Sequence, residues 1–128
     1  MGLVIGMKGE ASTLVSHDNT AASVGAGGVD VFGTPMMIAL MENAAWAAVA
    51  KDLEPGFVTV GTVVNVKHLA ATPLGQHVRA TAELVEIDGR RLVFNVEARD
   101  ERQKIGEGQH ERFIVSLERF MKRLESEK

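Results

Sequence analysis

The stretch VFGTPMMIALMENAAWAAVA, residues 31–50, decides the fold and holds one ionisable side chain, Glu42. Thr34-Pro35 reads as a helix start, because threonine caps free amides and proline suits the first helical position. The pattern predicts a helix from Thr34 to about Asp52, ended by Pro55-Gly56. Apolar residues cover every face of it, so it is expected to be buried all round. Trp46 and the small residues Ala44, Ala45, Ala47 and Ala48 would pack closely against a surrounding sheet. The stretch is long enough to be tested as a membrane span. Glu42 and Asn43 at its centre, with Gly33 and Pro35 interrupting it, argue against that reading.

Outward from the helix the period changes to two. In FVTVGTVVNVKHLAATP, residues 57–73, Val58, Val60, Val64 and Val66 share one phase, with Thr62 between them. His68 continues that phase and is expected to face the helix. HVRATAELVEIDGRRLVFNVEAR, residues 77–99, reads as a long hairpin turning at Asp88-Gly89. A last strand covers about Lys104 to Leu117, and the charged tail ERFMKRLESEK reads as a short surface helix or frayed end. DNTAASVGAGGVD, residues 18–30, reads as a loop or weakly held cover; its GAGG lacks the spacing of a nucleotide-binding fingerprint. The predicted order is an early strand, one long helix, then four antiparallel strands. That is an α+β fold with a sheet curled about the helix, and a symmetric dimer would cover what the sheet leaves open.

Totals narrow the function. A chain of 128 residues fits a single domain, residues 1–128, with a core that needs no staples. The net charge of −3 comes without a basic stripe, which argues against nucleic acid as partner. Cysteine is absent, so disulfides and thiol catalysis are excluded and a reducing cytoplasm fits. The start MGLVIGMKGE is too short for a secretory signal and has no charged leading region. His17, His77 and His110 show no two-ligand spacing, so no metal is expected.

Three residues can carry chemistry. Glu42 is either a helix carboxylate reaching solvent through a gap or a carboxylate in a dry pocket, usable as base or nucleophile. His68 is either a satisfied structural imidazole or an acid–base group at a strand end. Thr34 caps the helix, and its hydroxyl also sits where an oxyanion would be stabilised. Eight residues of helix separate Thr34 from Glu42, a rise of roughly 12 Å. If both act at one centre, a second subunit supplies one of them or the substrate spans the gap.

VFGTPMMIALMENAA, GTVVNVKHLAATP and GEGQHERFIV resemble the hotdog-fold acyl-CoA thioesterases, and within them the fluoroacetyl-CoA thioesterase group. The resemblance covers roughly residues 31–120 with the same spacing between segments. It implies a sheet wrapped about a central helix, a homodimer, and hydrolysis of an acyl-CoA without a cofactor. The catalytic threonine, glutamate and histidine it implies are Thr34, Glu42 and His68. Functional positions on the strands fall on Gly61 and Arg112, where glycine would admit substrate to the backbone. Arg112 would bind a coenzyme A phosphate, brace the site, or only form a surface ion pair with Glu111 or a neighbour. Residues 18–30 hold no aromatic to close over a small acyl group, so the expected substrate is a small or medium acyl-CoA, not fluoroacetyl-CoA in particular. Two other readings are a non-catalytic acyl-CoA binding module and an enoyl-CoA hydratase. The hydratase would need a paired Asp and His, and none stands out.

Overall fold

The computed structural model describes residues 2–127. Strand β1 (Lys8–Leu14) is followed by helix α1 (Thr34–Val49), β2 (Phe57–His68), β3 (His77–Asp88), β4 (Arg91–Arg99), β5 (Lys104–Ser116) and helix α2 (Leu117–Ser126). The strands form one antiparallel sheet in the order β1-β3-β4-β5-β2. Val78, Ala80, Ala82 and Leu84 of β3 and Leu92, Phe94, Val96 and Ala98 of β4 are all buried, as their alternation predicts. They pack on Met37, Met41, Ala44, Ala45 and Val49 of α1. Gly9 lets β1 and α1 touch: a Cβ there would lie 2.3 Å from the Ala44 carbonyl oxygen. The hairpin turns one residue later than expected. Asp88 pairs with Arg91, leaving Gly89-Arg90 as the loop, and Gly89 takes the positive φ of +62° that this turn needs.

Two expectations need correction. The helix is not buried all round: Ala39, Asn43 and Trp46, one stripe at helical spacing, are exposed. Trp46 is 48 % exposed and does not pack under the sheet. The sheet covers one side of α1 only, chiefly through β1 and β3. The alternation along β2 is also broken. Gly61 pairs with Arg112 and Val63 with Glu111, so Thr62 is an extra residue in a bulge. Before the bulge the odd residues Thr59 and Gly61 face the helix side, and after it the even residues Val66 and His68 do. Val58 and Val60 therefore lie on the other face. Residues 18–30 are a largely exposed cover of turns and bends with no long element of their own. A 3-10 turn, His17–Asn19, is closed by a reciprocal Ser16–Asn19 capping box. Backbone bonds from Ala21 to Val31 and from Ala22 to Val29 fold the rest into a small flap over the start of α1.

Candidate active site

Two polar clusters face the helix side of the sheet. The first joins the start of α1 to the end of β2. Gly33, not Thr34, is the N-cap of α1, and no side chain caps it. Met36 and Met37 both donate their amides to the Gly33 carbonyl. Pro35 has no amide hydrogen, and the Thr34 amide finds no acceptor among the described residues. Freed from capping, the Thr34 hydroxyl lies 2.7 Å from His68 Nδ1. The other ring nitrogen, Nε2, is buried without any hydrogen-bond partner. Burial pushes the His68 imidazole below its usual range, and the nearby Ala70 backbone offsets part of that. The ring is therefore neutral near pH 7. Thr34, His68, Phe32, Val31, Leu69 and neighbouring alanines line a pocket of about 340 Å³.

The second cluster gathers around Arg112 on β5, which is 7 % exposed. Its Nε donates to Thr59 Oγ1 at 2.8 Å and its Nη2 to the Thr59 carbonyl at 2.9 Å. Its Nη1 donates to His110 Nε2 at 3.2 Å and stands 3.7 Å from Glu42 Oε2. Glu111 does not pair with it; that carboxylate binds Arg91 instead. A guanidinium held this way braces Thr59, His110 and Glu42, and it also borders the hollow beside Trp46. Burial lowers its pKa while Glu42 opposes that, but an arginine stays charged. His110 is 1 % exposed; its Nδ1 lies 2.7 Å from the Val63 carbonyl, and its Nε2 lies 3.8 Å from Glu42 Oε2.

Glu42 is thus not enclosed by hydrocarbon. Its side chain is 42 % exposed in the protomer and has two cationic or polar neighbours. It borders a shallow hollow of about 380 Å³ with Ala39, Asn43, Trp46 and Arg112. Gly61 explains how the carboxylate fits: a Cβ there would lie 2.5 Å from Glu42 Oε2 and 3.2 Å from His110 Cε1. In the protomer, what approaches the Gly61 backbone is the protein's own carboxylate. Larger hollows, of about 770 and 620 Å³, lie against Asn65, Lys67, Arg79, Thr81 and Glu97 on the opposite sheet face, away from every candidate residue. Among the described residues no cluster of three His, Asp or Glu side chains could hold a metal ion.

Sequence reasoning missed Thr59 and His110. Thr59 sits in the odd phase that only the bulge turns inward. His110 was weighed only as a metal ligand, although GEGQHERFIV sets it two residues from Arg112, on the same strand face.

A five-stranded antiparallel sheet packed on one long helix is the hotdog fold. A Thermus thermophilus member of the thioesterase superfamily shares this fold, with a TM-score of 0.87 and 29 % identity over 97 % of this chain and 94 % of that one. Residues 15–118 match the family described as fluoroacetyl-CoA-specific thioesterase, and the chain belongs to that family. It is 48 % identical over 91 residues to the fluoroacetyl-CoA thioesterase of Streptantibioticus cattleyicolor, a span of 71 % of this chain and 66 % of that protein. The match thus spans just under two thirds of that relative's length. A solved structure of the fluoroacetyl-CoA thioesterase FlK superposes with a TM-score of 0.93 at 36 % identity, covering 100 % of this chain and 99 % of that one.

Proposed function

We propose that this chain, acting as one domain over residues 1–128, hydrolyses the thioester of a small or medium acyl-CoA to the free acid and coenzyme A, as a homodimer in the cytoplasm. Family membership supports thioester hydrolysis. The observation that carries the site is the 2.7 Å contact between Thr34 and a neutral His68 whose second nitrogen is unpaired. Either tautomer leaves a donor for the substrate. With the proton on Nδ1, the Thr34 hydroxyl is free to donate to the thioester carbonyl; with it on Nε2, the ring itself donates.

Glu42 serves as the base. It takes a proton from water while the water oxygen bonds to the carbonyl carbon. The displaced electron pair moves to the carbonyl oxygen, where the partner's Thr34, at the positive end of its helix, stabilises it. The pair then returns, the carbon–sulfur bond breaks, and the thiolate takes the proton from Glu42. Arg112 and Gly61 keep the carboxylate in place. The Ala- and Gly-rich flap, with no aromatic between residues 18 and 30, supports an acyl group not confined to fluoroacetyl.

Glu42 and the Thr34–His68 pair lie about 12 Å apart along α1, which supports a site shared between two copies. Strand β2 has a free outer edge, and Val63 and Val64 on it are 42 % and 44 % exposed. Antiparallel pairing of two β2 edges about Val64-Asn65 would set Gly61, and with it Glu42, beside the partner's His68. The absence of cysteine supports a reducing compartment. No helix among the described residues is long and apolar enough to cross a membrane.

A panel of acyl-CoAs, with free thiol followed over time, tests the reading. Thiol release that is lost in Glu42→Gln and in His68→Ala is expected. Tight binding without release would instead favour a binding module, and a stable monomer at micromolar concentration by sedimentation would sink the shared site.

A further inference from the structure

We propose that His110 is a positioning residue for the Glu42 carboxylate, acting as a neutral imidazole with its proton on Nδ1. This rests on the reading of Glu42 as the base. The hydrogen-bond partners decide the proton's place. The Val63 carbonyl can only accept, so Nδ1 must carry the hydrogen; Arg112 Nη1 can only donate, so Nε2 must be bare. Both bonds then do something for Glu42. The bond to Val63, just past the extra residue Thr62, ties down the bulge that keeps Gly61 against the carboxylate. The bond from Arg112 aims Nη1 between His110 Nε2 and Glu42 Oε2, 3.2 Å and 3.7 Å away. The ring itself is 3.8 Å from Oε2 and carries no hydrogen toward it. It limits where the carboxylate can sit without drawing it into an ion pair. The groups facing it are Glu42 from α1, Arg112 from β5 and the Val63 carbonyl from β2; Glu111, next to it on β5, points to the other sheet face and pairs with Arg91, while burial holds the ring neutral.

Isosteric variants separate the two bonds. His110→Leu fills the volume and removes both. His110→Gln can reach Arg112 with its amide oxygen, near the place of Nε2. A carboxylate misplaced by about an ångström costs up to about 100-fold in rate. His110→Leu is therefore expected to lose about 10-fold to 100-fold in kcat with KM nearly unchanged, and His110→Gln to recover most of that loss. An unchanged kcat in folded His110→Leu, a loss seen in KM alone, or a Gln variant as impaired as the Leu variant would each overturn the proposal. Should His110→Leu fail to fold, His110→Asn replaces it, since its amide reaches Val63 but not Arg112; a kcat loss of up to about 10-fold is expected, and an unchanged kcat would overturn the proposal. Imidazole nitrogen shifts of the unmodified protein at neutral pH give a second readout, and an Nε2–H or doubly protonated ring would overturn the proposal. Glu42→Gln run alongside keeps the readings apart. Activity that survives it refutes Glu42 as the base, whereas activity lost there but kept in His110→Leu refutes only the positioning role.

Discussion

The two polar clusters on the helix side of the sheet differ in how completely they are satisfied. Around Arg112 three donor groups meet three acceptors, and His110 uses both ring nitrogens. Around Thr34 there is one side-chain bond, a bare helix start and a buried nitrogen with no partner. A buried polar group left unpaired costs about 1–3 kcal/mol. The contrast teaches that the Arg112 end holds its groups in place with bonds of its own, while the Thr34 end keeps unused hydrogen-bonding capacity, as the proposed substrate contact requires.

Four measurements can break or sharpen that contrast. The largest effect is expected from Glu42→Gln, which removes the base but keeps the shape. Thiol release should fall by about 10²–10⁴-fold while the melting temperature barely moves. Next comes Gly61→Ala. Its new Cβ would meet Glu42 Oε2 at 2.5 Å, and a flexible side chain can yield. A kcat loss of about 10–100-fold is expected with little loss of stability. Full activity in this variant would mean that the carboxylate's position does not matter. Thr34→Val is smaller still. One hydrogen bond to His68 disappears, and about 10-fold in kcat should go with it. Because Gly33 provides the cap, unfolding by denaturant should shift by less than about 0.5 kcal/mol; a larger shift would return Thr34 to a structural role.

The smallest effect concerns pH. Burial lowers the folded-state pKa of both His68 and His110 below the ordinary 6.5. Between the folded and unfolded values the unfolded chain binds more protons, so stability rises with pH there. The contribution is complete above about pH 6.5 and is lost as pH falls toward the folded values. Melting temperatures should drop from about pH 7.5 to 5.5, and less steeply in His68→Asn. The lowered carboxylates of Asp100 and Glu111 act in the same direction, but in a more acidic window, below their ordinary 3.8 and 4.5.

Much of this was legible in the residues. The β3–β4 hairpin shows because its two inward rows alternate without interruption, and α1 shows because Thr34-Pro35 and Pro55-Gly56 bracket it. Glu42 stood out because it is alone in an apolar stretch. Its partners did not, since a carboxylate's neighbours depend on which residues of β2 and β5 pair, and that is a matter of register. The exposure of Trp46 was illegible for a related reason. A stripe of helix that the protomer's own sheet does not cover has the same composition as one that it does.

The extra residue in β2 has one more consequence. Gly61 and His68 are seven positions apart, and in an uninterrupted strand an odd separation puts two side chains on opposite faces. They share a face here only because Thr62 is spliced in between. The reading frame of this strand is therefore itself part of the proposed site. A one-residue deletion between those positions would turn the imidazole away from the helix while leaving every proposed catalytic side chain in the chain.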